Sequence, residues 1–294
     1  MSEGRTTQTR LARVWELTRL VAEEFRKRDL LTYASAIAFR GLVALVPLTL
    51  LGLGLLGALG FQDVWRETVA PALEGRLTRP VYEGIDYSVE RILSSGTAGL
   101  IAFAAALLLW DLAWAVGAVM SALNRIHDVE EQRSLGRRLL VRVWLAGAVG
   151  ICLIGAALAV LAAPKLADGA LDVVVGIGRW VVGVTLLGLA VGLLFRYAPA
   201  ERPQAKWASA GSVLVIASWI VASLLFRFYV TTVADFKTAI GSLTVFLVLT
   251  AYVFTSAAIF IVGAQLDELL RMDAEEGESV GVFELLRAAS GRPG

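Results

Sequence analysis

Six long apolar stretches, separated by shorter polar segments, dominate the pattern of hydrophobic and polar positions along the chain. A helix needs about 20 apolar residues to cross the roughly 30 Å of hydrocarbon in a bilayer, so each stretch is long enough to span it. The fourth stretch is the weakest, because Arg179 interrupts it. The six cover residues 34–59, 97–123, 143–163, 173–195, 208–230 and 238–266. The pattern predicts an all-α, polytopic integral membrane protein with six transmembrane helices.

Two polar segments also repeat apolar residues at helical spacing. The first lies in the N-terminal arm, with arginines on its other face. It predicts a basic amphipathic helix that either lies along the anionic inner leaflet or packs on the cytoplasmic ends of the bundle. The second lies in the long loop 62–96, where it predicts an amphipathic extracytoplasmic elbow of one or two short helices. The repeating residues are Leu11, Val14, Trp15, Val21 and Phe25 in the arm, and Val81, Ile85, Val89 and Ile92 in the loop.

The distribution of basic residues predicts the orientation. Lysine and arginine are densest in the N-terminal arm and in the second and fourth loops, and sparser in the loops between them. Because cytoplasmic loops carry the excess of positive charge, both termini are expected to be cytoplasmic, in a multi-pass protein of the cell (inner) membrane. The first span is too long, and lies too far into the chain, to be a cleavable signal sequence. The chain divides into a cytoplasmic amphipathic helix (1–29), a six-span membrane domain (30–270) and a mobile cytoplasmic tail (271–294).

Composition agrees with a membrane protein and excludes several kinds of site. Hydrophobic residues make up 57% of the chain and charged residues 18%, with a mean hydropathy of +0.70. Twenty-seven basic against 26 acidic residues leave a net charge of +1, so no bulk positive field attracts nucleic acid. One Cys and one His make a disulfide framework or a zinc site implausible. The expected partners are membrane lipids and not nucleic acid, and no cofactor is expected.

Two apparent motifs have ordinary explanations. Gly52, Gly54 and Gly57 fit the letters of G-x-G-x-x-G, but they lie inside a span, where glycines allow close helix packing. His127 is the lone histidine, and the acidic residues after it are expected to be a solvated loop rather than a nuclease centre. These residues are Asp128, Glu130 and Glu131. We therefore do not expect an enzyme.

Charged residues within the spans are the strongest functional signal. An ionisable side chain in hydrocarbon costs about 2.5–3.5 kcal/mol on insertion scales. Asp111 lies mid-span between Trp110 and Trp114, with Arg40 in the first span and Arg227 in the fifth. Together these five residues suggest a polar substrate path in the helix bundle that accepts an anionic or zwitterionic headgroup. A buried ion pair or hydrogen-bond network that fixes helix register explains the charges equally well. At the inner ends of the spans, a cytoplasmic mouth is predicted from Asn124, Gln265 and Asp267.

Several short motifs, in order and at span boundaries, resemble a known family. They are 31–39 and 44–48 in the first span, 123–126 after the second, 196–199 with Arg202 and Pro203 after the fourth, 241–243, and 263–266 closing the sixth. In this order the chain resembles the YihY / virulence factor BrkB family of six-span inner-membrane proteins, once mislabelled ribonuclease BN. It departs from the family at Arg40, often aromatic, at His127, often Trp, and at Gln265, often Glu.

The resemblance implies a link with the movement of lipids or lipid-linked precursors across the inner membrane. With the embedded charges, it favours a transporter or exporter of an amphipathic, lipid-like molecule. A non-transporting membrane scaffold is the alternative, and a nuclease is the weakest reading. A water-accessible groove reaching Asp111 would favour transport, and a dry, fully paired Asp111 would favour the scaffold.

Overall fold

A computed structural model describes residues 23, 25–74, 79–95, 98–162, 171–200, 210–232 and 241–275 of the chain. All regular secondary structure within these residues is helical. The elements are α1 (Leu30–Ala58), a π-helical segment (Val64–Val69), α2 (Ala70–Glu74), α3 (Arg79–Ser95), α4 (Ala98–Ile126), α5 (Leu135–Ala162), α6 (Leu171–Tyr197), α7 (Ala210–Thr232) and α8 (Gly241–Glu275).

Six of these helices, α1 and α4 to α8, are long and apolar enough to cross a membrane, which confirms the predicted all-α, six-span architecture. Their ends differ from the predicted ones. α1 begins four residues earlier, and α8 continues to Glu275, nine residues past the predicted end of the last span and four past the predicted start of the tail. A helix can continue beyond its apolar stretch because its backbone hydrogen bonds do not depend on hydropathy.

The two ends of the bundle differ in character. At one end α1, α5 and α7 begin and α4, α6 and α8 end, and we call it the polar end. The opposite end carries residues 61–74 and 79–95, which we call the elbow. At the polar end the Arg28 guanidinium donates to the carbonyl oxygens of Arg125 and Ile126, each at 2.8 Å. These bonds satisfy carbonyl groups that the last turn of α4 leaves without helical partners.

The packing of the spans leaves one weak seam. α1 packs along α4 and α8, α5 packs between α4 and α6, and α7 packs along α8, whereas α6 and α7 share few contacts. A hydrogen bond from Trp219 Nε1 to the Ser256 carbonyl oxygen, 3.0 Å, and one between the Ser223 and Tyr252 hydroxyls, 2.9 Å, join α7 to α8. The α6–α7 seam is therefore the place where the bundle is least closed.

The buried core lies mainly in the half of the bundle next to the polar end. There Leu123, Val191, Val215 and Ile261 from four helices form one cluster with almost no exposure, and Phe195 stacks edge-on against Phe260 at 5.0 Å. In the other half, the described side chains of α6 up to Val182, of α7 from Leu224 and of α8 up to Ser256 include no buried residue. Among their described residues, α6, α7 and α8 thus pack tightly at the polar end and loosely at the other.

The elbow contains helices, as predicted, and one end of it packs on α1. Trp65 Nε1 donates to Asp86 Oδ1 at 2.8 Å, and Arg66 pairs with Glu90 at 2.7 Å, which joins the π-helical segment to α3. The hydrogen bonds and charge of Arg66 hold the pKa of Glu90 below its ordinary value. Leu93 is buried against Leu56 of α1.

Only part of the predicted apolar face of the elbow is buried. Val89 packs in the same cluster as Trp65, but Val81 and Ile85 are exposed. The extracytoplasmic position of the elbow stays a prediction. The predicted N-terminal amphipathic helix lies outside the described residues, apart from residues 23 and 25–29, of which Phe25 packs against the bundle core.

Candidate functional site at the polar end

Asn124, predicted at the cytoplasmic mouth, joins α4 to the segment that follows α6. It is buried near the end of α4. Its Oδ1 accepts a hydrogen bond from the Ala200 amide at 2.7 Å, and its Nδ2 donates to Glu131 Oε2 at 3.1 Å. Because a buried amide side chain needs partners for both of its ends, these bonds fix the Asn124 side chain in one orientation.

Glu131 and Arg133 form a mostly buried ion pair beside Asn124. Arg133 Nε donates to Glu131 Oε1 at 2.8 Å, and Arg133 Nη2 donates to the Ala198 carbonyl oxygen at 2.8 Å. The two side chains are 15% and 12% exposed. Burial alone would raise the pKa of Glu131, but the hydrogen bonds and charge of Arg133, together with the Asn124 amide, hold it below its ordinary value. Glu131 is therefore ionised at neutral pH.

His127 forms a second buried polar contact across the bundle. Its Nδ1 lies 2.5 Å from Glu268 Oε2, with side-chain exposures of 13% and 5%, so the contact joins the end of α4 to α8. The contact gives each of these two mostly buried polar groups a partner. Sequence reasoning missed Glu268, although it lies one helical turn beyond Gln265 on the same face of α8.

The expectation of a solvated loop after His127 holds for Asp128 and Glu130, which are exposed, but not for Glu131, which is mostly buried. Burial alternates along residues 127–134, with odd-numbered side chains partly buried and even-numbered ones exposed. This period of two is typical of an extended segment lying against a surface. The reason is steric and electrostatic: Glu131 and Arg133 point inward to Asn124 and Ala198, while Asp128 and Glu130 point outward.

The other two predicted mouth residues lie on α8. Asp267 Oδ1 accepts the Gly211 amide hydrogen at 2.7 Å, which caps the start of α7. Gln265 is 1% exposed, and its Oε1 has no hydrogen-bond partner among the described residues. The structure thus places all three predicted mouth residues at the polar end, where Asn124 and Asp267 join neighbouring elements.

The predicted path residues are only partly brought together. The Arg40 guanidinium carbon lies 5.4 Å from the centre of the Trp114 ring, and Trp114 meets Trp110 edge-on at 6.2 Å. Both tryptophans are exposed, at 65% for Trp110 and 45% for Trp114, whereas Arg40 and Asp111 are half-buried. A cation over an indole face is an attractive contact, stronger where water is scarce.

Arg227 lies apart from this group. It is exposed near the elbow end of α7, and no ion pair within 4 Å joins Asp111 to Arg227 or Arg40 in the described part of the chain. The predicted path therefore corresponds to one contact group at the α1–α4 seam, with Arg227 on a different helix pair.

A pocket of about 260 Å³ opens at the polar end, next to the Glu131–Arg133 ion pair. Its lining residues are Glu130, Gln132, Arg133, Ser134, Arg137 and Ala200. In the described ranges, no group of three or more His, Cys, Asp or Glu side chains is placed to hold a metal ion.

Curated relatives are about a quarter identical to this chain over the aligned residues. A putative ribonuclease-like protein, YfkH of Bacillus subtilis, is 26% identical over 195 residues, covering 63% of this chain and 71% of that protein. UPF0761 membrane proteins of Alkalilimnicola ehrlichii and Methylibium petroleiphilum are each 25% identical, over 85% and 82% of this chain. The matches span only 57% and 59% of those two proteins' own length. No solved structure matches the chain.

A family comparison covers most of the described bundle. The family described as virulence factor BrkB matches residues 21–280, from just before α1 to just past the end of α8. The match includes both groups of polar-end residues described above, which are Asn124 to Arg133 and Gln265 to Glu268. This six-span membrane protein belongs to the virulence factor BrkB family.

Proposed function

We propose that this protein transports an amphipathic, lipid-like molecule across the cytoplasmic membrane, with the polar end as its cytoplasmic gate. In this orientation both termini are cytoplasmic. The basic residues support it, since Arg28, Arg125, Arg133, Arg137 and Arg138 all lie at the polar end, and positive charge accumulates on the cytoplasmic side of membrane proteins.

The uneven packing of the bundle is the observation that carries this proposal. Hydrogen bonds and buried apolar residues close the polar half, where His127 meets Glu268 and Asn124 meets Glu131. The elbow halves of α6, α7 and α8 have no such core among their described residues. A bundle closed at one end and loosely packed at the other corresponds to one of the two states that alternating access requires.

The embedded charges of Arg40 and Asp111 supply polar contacts at intermediate depth, and Arg227 adds one near the elbow end of α7. At 1.5 Å per residue, Arg40 lies about 15 Å, Asp111 about 22 Å and Arg227 about 25 Å from the polar end. Charged groups at such depth are expensive, and in membrane proteins they mark substrate pathways more often than lipid-facing surfaces. A headgroup could exchange water for Arg40 and Asp111 while its acyl chains stay beside the exposed Trp110 and Trp114.

Lipid translocation in proteoliposomes tests the proposal. Wild-type protein should move a headgroup-labelled phospholipid faster than protein-free vesicles, and Asp111→Asn should lower the rate about tenfold, since it removes a charge without changing side-chain size. Asp128→Asn is the matched control: Asp128 is exposed and has a left-handed backbone (φ 52°) that asparagine tolerates.

The thermal midpoints of both variants are measured in the same preparations. Transport that falls in Asp111→Asn but not in Asp128→Asn, at unchanged midpoints, supports the proposal. Movement no faster than in protein-free vesicles contradicts it and favours the scaffold.

A further inference from the structure

The polar-end pocket carries charges of both signs. Arg133 and Arg137 bring positive charge, and Glu130 brings negative charge. Arg133 is already paired with Glu131, at 2.8 Å. Arg137 is exposed and forms no ion pair or hydrogen bond with another described side chain. The charged side chains left to bind a ligand are therefore the Arg137 guanidinium and the Glu130 carboxylate.

The start of α5 adds hydrogen-bond donors beside Arg137. Ser134 precedes the helix, and its carbonyl oxygen accepts the Arg138 amide at 2.9 Å as the first helical bond. The amides of the first turn lack helical acceptors, and the helix dipole places positive potential at this point. These amides and the Arg137 guanidinium together favour binding of a phosphate at this end of the pocket.

An exposed apolar stripe runs from the pocket along α5 toward the membrane. Leu140, Trp144 and Ile151 follow Arg137 at intervals of three, four and seven residues, so they share one face of the helix. They are 69%, 51% and 75% exposed. The Trp144 ring also meets the Tyr197 ring edge-on at 5.4 Å, which fixes it beside the end of α6.

We propose that this pocket binds a glycerophospholipid whose headgroup carries a phosphate and a primary ammonium, as phosphoethanolamine does. The phosphate lies at Arg137 and Ser134, the ammonium lies at Glu130, and an acyl chain follows the stripe of Leu140, Trp144 and Ile151. The volume of about 260 Å³ is just below that of ordinary ligand pockets, which suits a small headgroup better than a glycan. Binding here does not require that the protein transports lipid.

Binding of short-chain lipids to the delipidated protein in detergent, followed by native mass spectrometry, tests this site. The probes are dioctanoyl phosphatidylethanolamine, the matching phosphatidylcholine and phosphatidylglycerol, and soluble glycerophosphoethanolamine. Wild-type protein should prefer phosphatidylethanolamine over phosphatidylcholine about fivefold or more, because a quaternary ammonium cannot donate hydrogen bonds to Glu130. Soluble glycerophosphoethanolamine should bind more weakly still, because it lacks the acyl chains that contact the stripe.

Three variants separate the parts of the site. Arg137→Gln should weaken phosphatidylethanolamine binding about tenfold, since it removes a charge-assisted hydrogen bond. Glu130→Gln should abolish the preference over phosphatidylcholine, since it removes the carboxylate that the ammonium contacts. Arg125→Gln is the matched control: Arg125 is exposed at the same end but does not line the pocket, so affinity should stay within about twofold.

Two results would overturn the inference. One is equal binding by wild type and Arg137→Gln. The other is soluble glycerophosphoethanolamine bound as tightly as the lipid, which would make the site one for a soluble phosphate compound.

Discussion

At the scale of single residues, Glu131 joins the end of α4 to the start of α5 through its charge. Its carboxylate accepts hydrogen bonds from Asn124 and Arg133, and Arg138 Nε lies 4.0 Å away. Only the ionised form accepts at both oxygens, so protonation would leave the mostly buried Arg133 guanidinium without its counter-charge. The pKa of Glu131 is accordingly held below its ordinary value.

This linkage gives a pH-dependent prediction. Because the pKa of Glu131 is lower in the folded than in the unfolded protein, its contribution to stability is complete above the unfolded value of about 4.5 and is lost as pH falls through the folded value. Glu131→Gln should therefore cost about 1–3 kcal/mol at pH 7 and progressively less below pH 4.5. Thermal unfolding in detergent from pH 7 to pH 3.5 measures this, with the exposed Glu130→Gln as control. A Glu131→Gln deficit that stays constant across this range would contradict the assignment.

The polar-end residues show what sequence reasoning can and cannot reach at this scale. Asn124, Gln265 and Asp267 were predicted there because a polar side chain at the end of an apolar span needs a partner. The contact between His127 and Glu268 was not predicted, since its members lie 141 positions apart and no local pattern connects them. In residues 127–134 Val129 is the single apolar residue, which is too little for hydropathy to indicate which face turns inward.

At the scale of elements, the spans were predictable and their rotations were not. Runs of about 20 apolar residues are sufficient to identify membrane helices. The face that each helix buries depends on its neighbours, and for this reason Arg227 lies apart from Asp111. The expectation that glycines serve packing is confirmed at Gly54, against Ile101, and at Gly57, against the backbone of Leu93, whereas Gly52 has open space around it.

The crossing of α7 and α8 gives an element-scale prediction. A Cβ on Gly211 would overlap the Gly263 carbonyl oxygen and lie 2.7 Å from the Asp267 carboxyl carbon, so the helices would have to separate. Gly211→Ala should cost about 1–3 kcal/mol through overpacking and loss of the Asp267 cap. Gly52→Ala, a matched change in open space, should be neutral or stabilising by up to about 1 kcal/mol, because alanine favours helix. Thermal midpoints in one detergent compare them, and an equal effect of both changes would contradict the close crossing.

At the scale of the whole molecule, the loosely packed half of the bundle either holds water or faces lipid. The two alternatives predict different maleimide reactivity for a cysteine introduced there. A maleimide reacts with a hydrated thiolate and not with a thiol in hydrocarbon. Cys152 is the single native cysteine and is buried. Replacing it by alanine therefore gives a background in which one introduced thiol reports on one position.

Two positions on α8 decide between water and lipid. Thr250 is half-buried in the loosely packed half, and Ala264 is buried in the polar half, about 21 Å along the helix. In nanodiscs, a charged maleimide should label Thr250→Cys, because transport requires water to reach this region, and should leave Ala264→Cys unlabelled until the protein is denatured. Leu135→Cys, at a position 84% exposed at the polar end, calibrates full labelling. If Thr250→Cys were as unreactive as Ala264→Cys, the elbow halves of the spans would face lipid, and the uneven packing would no longer support transport.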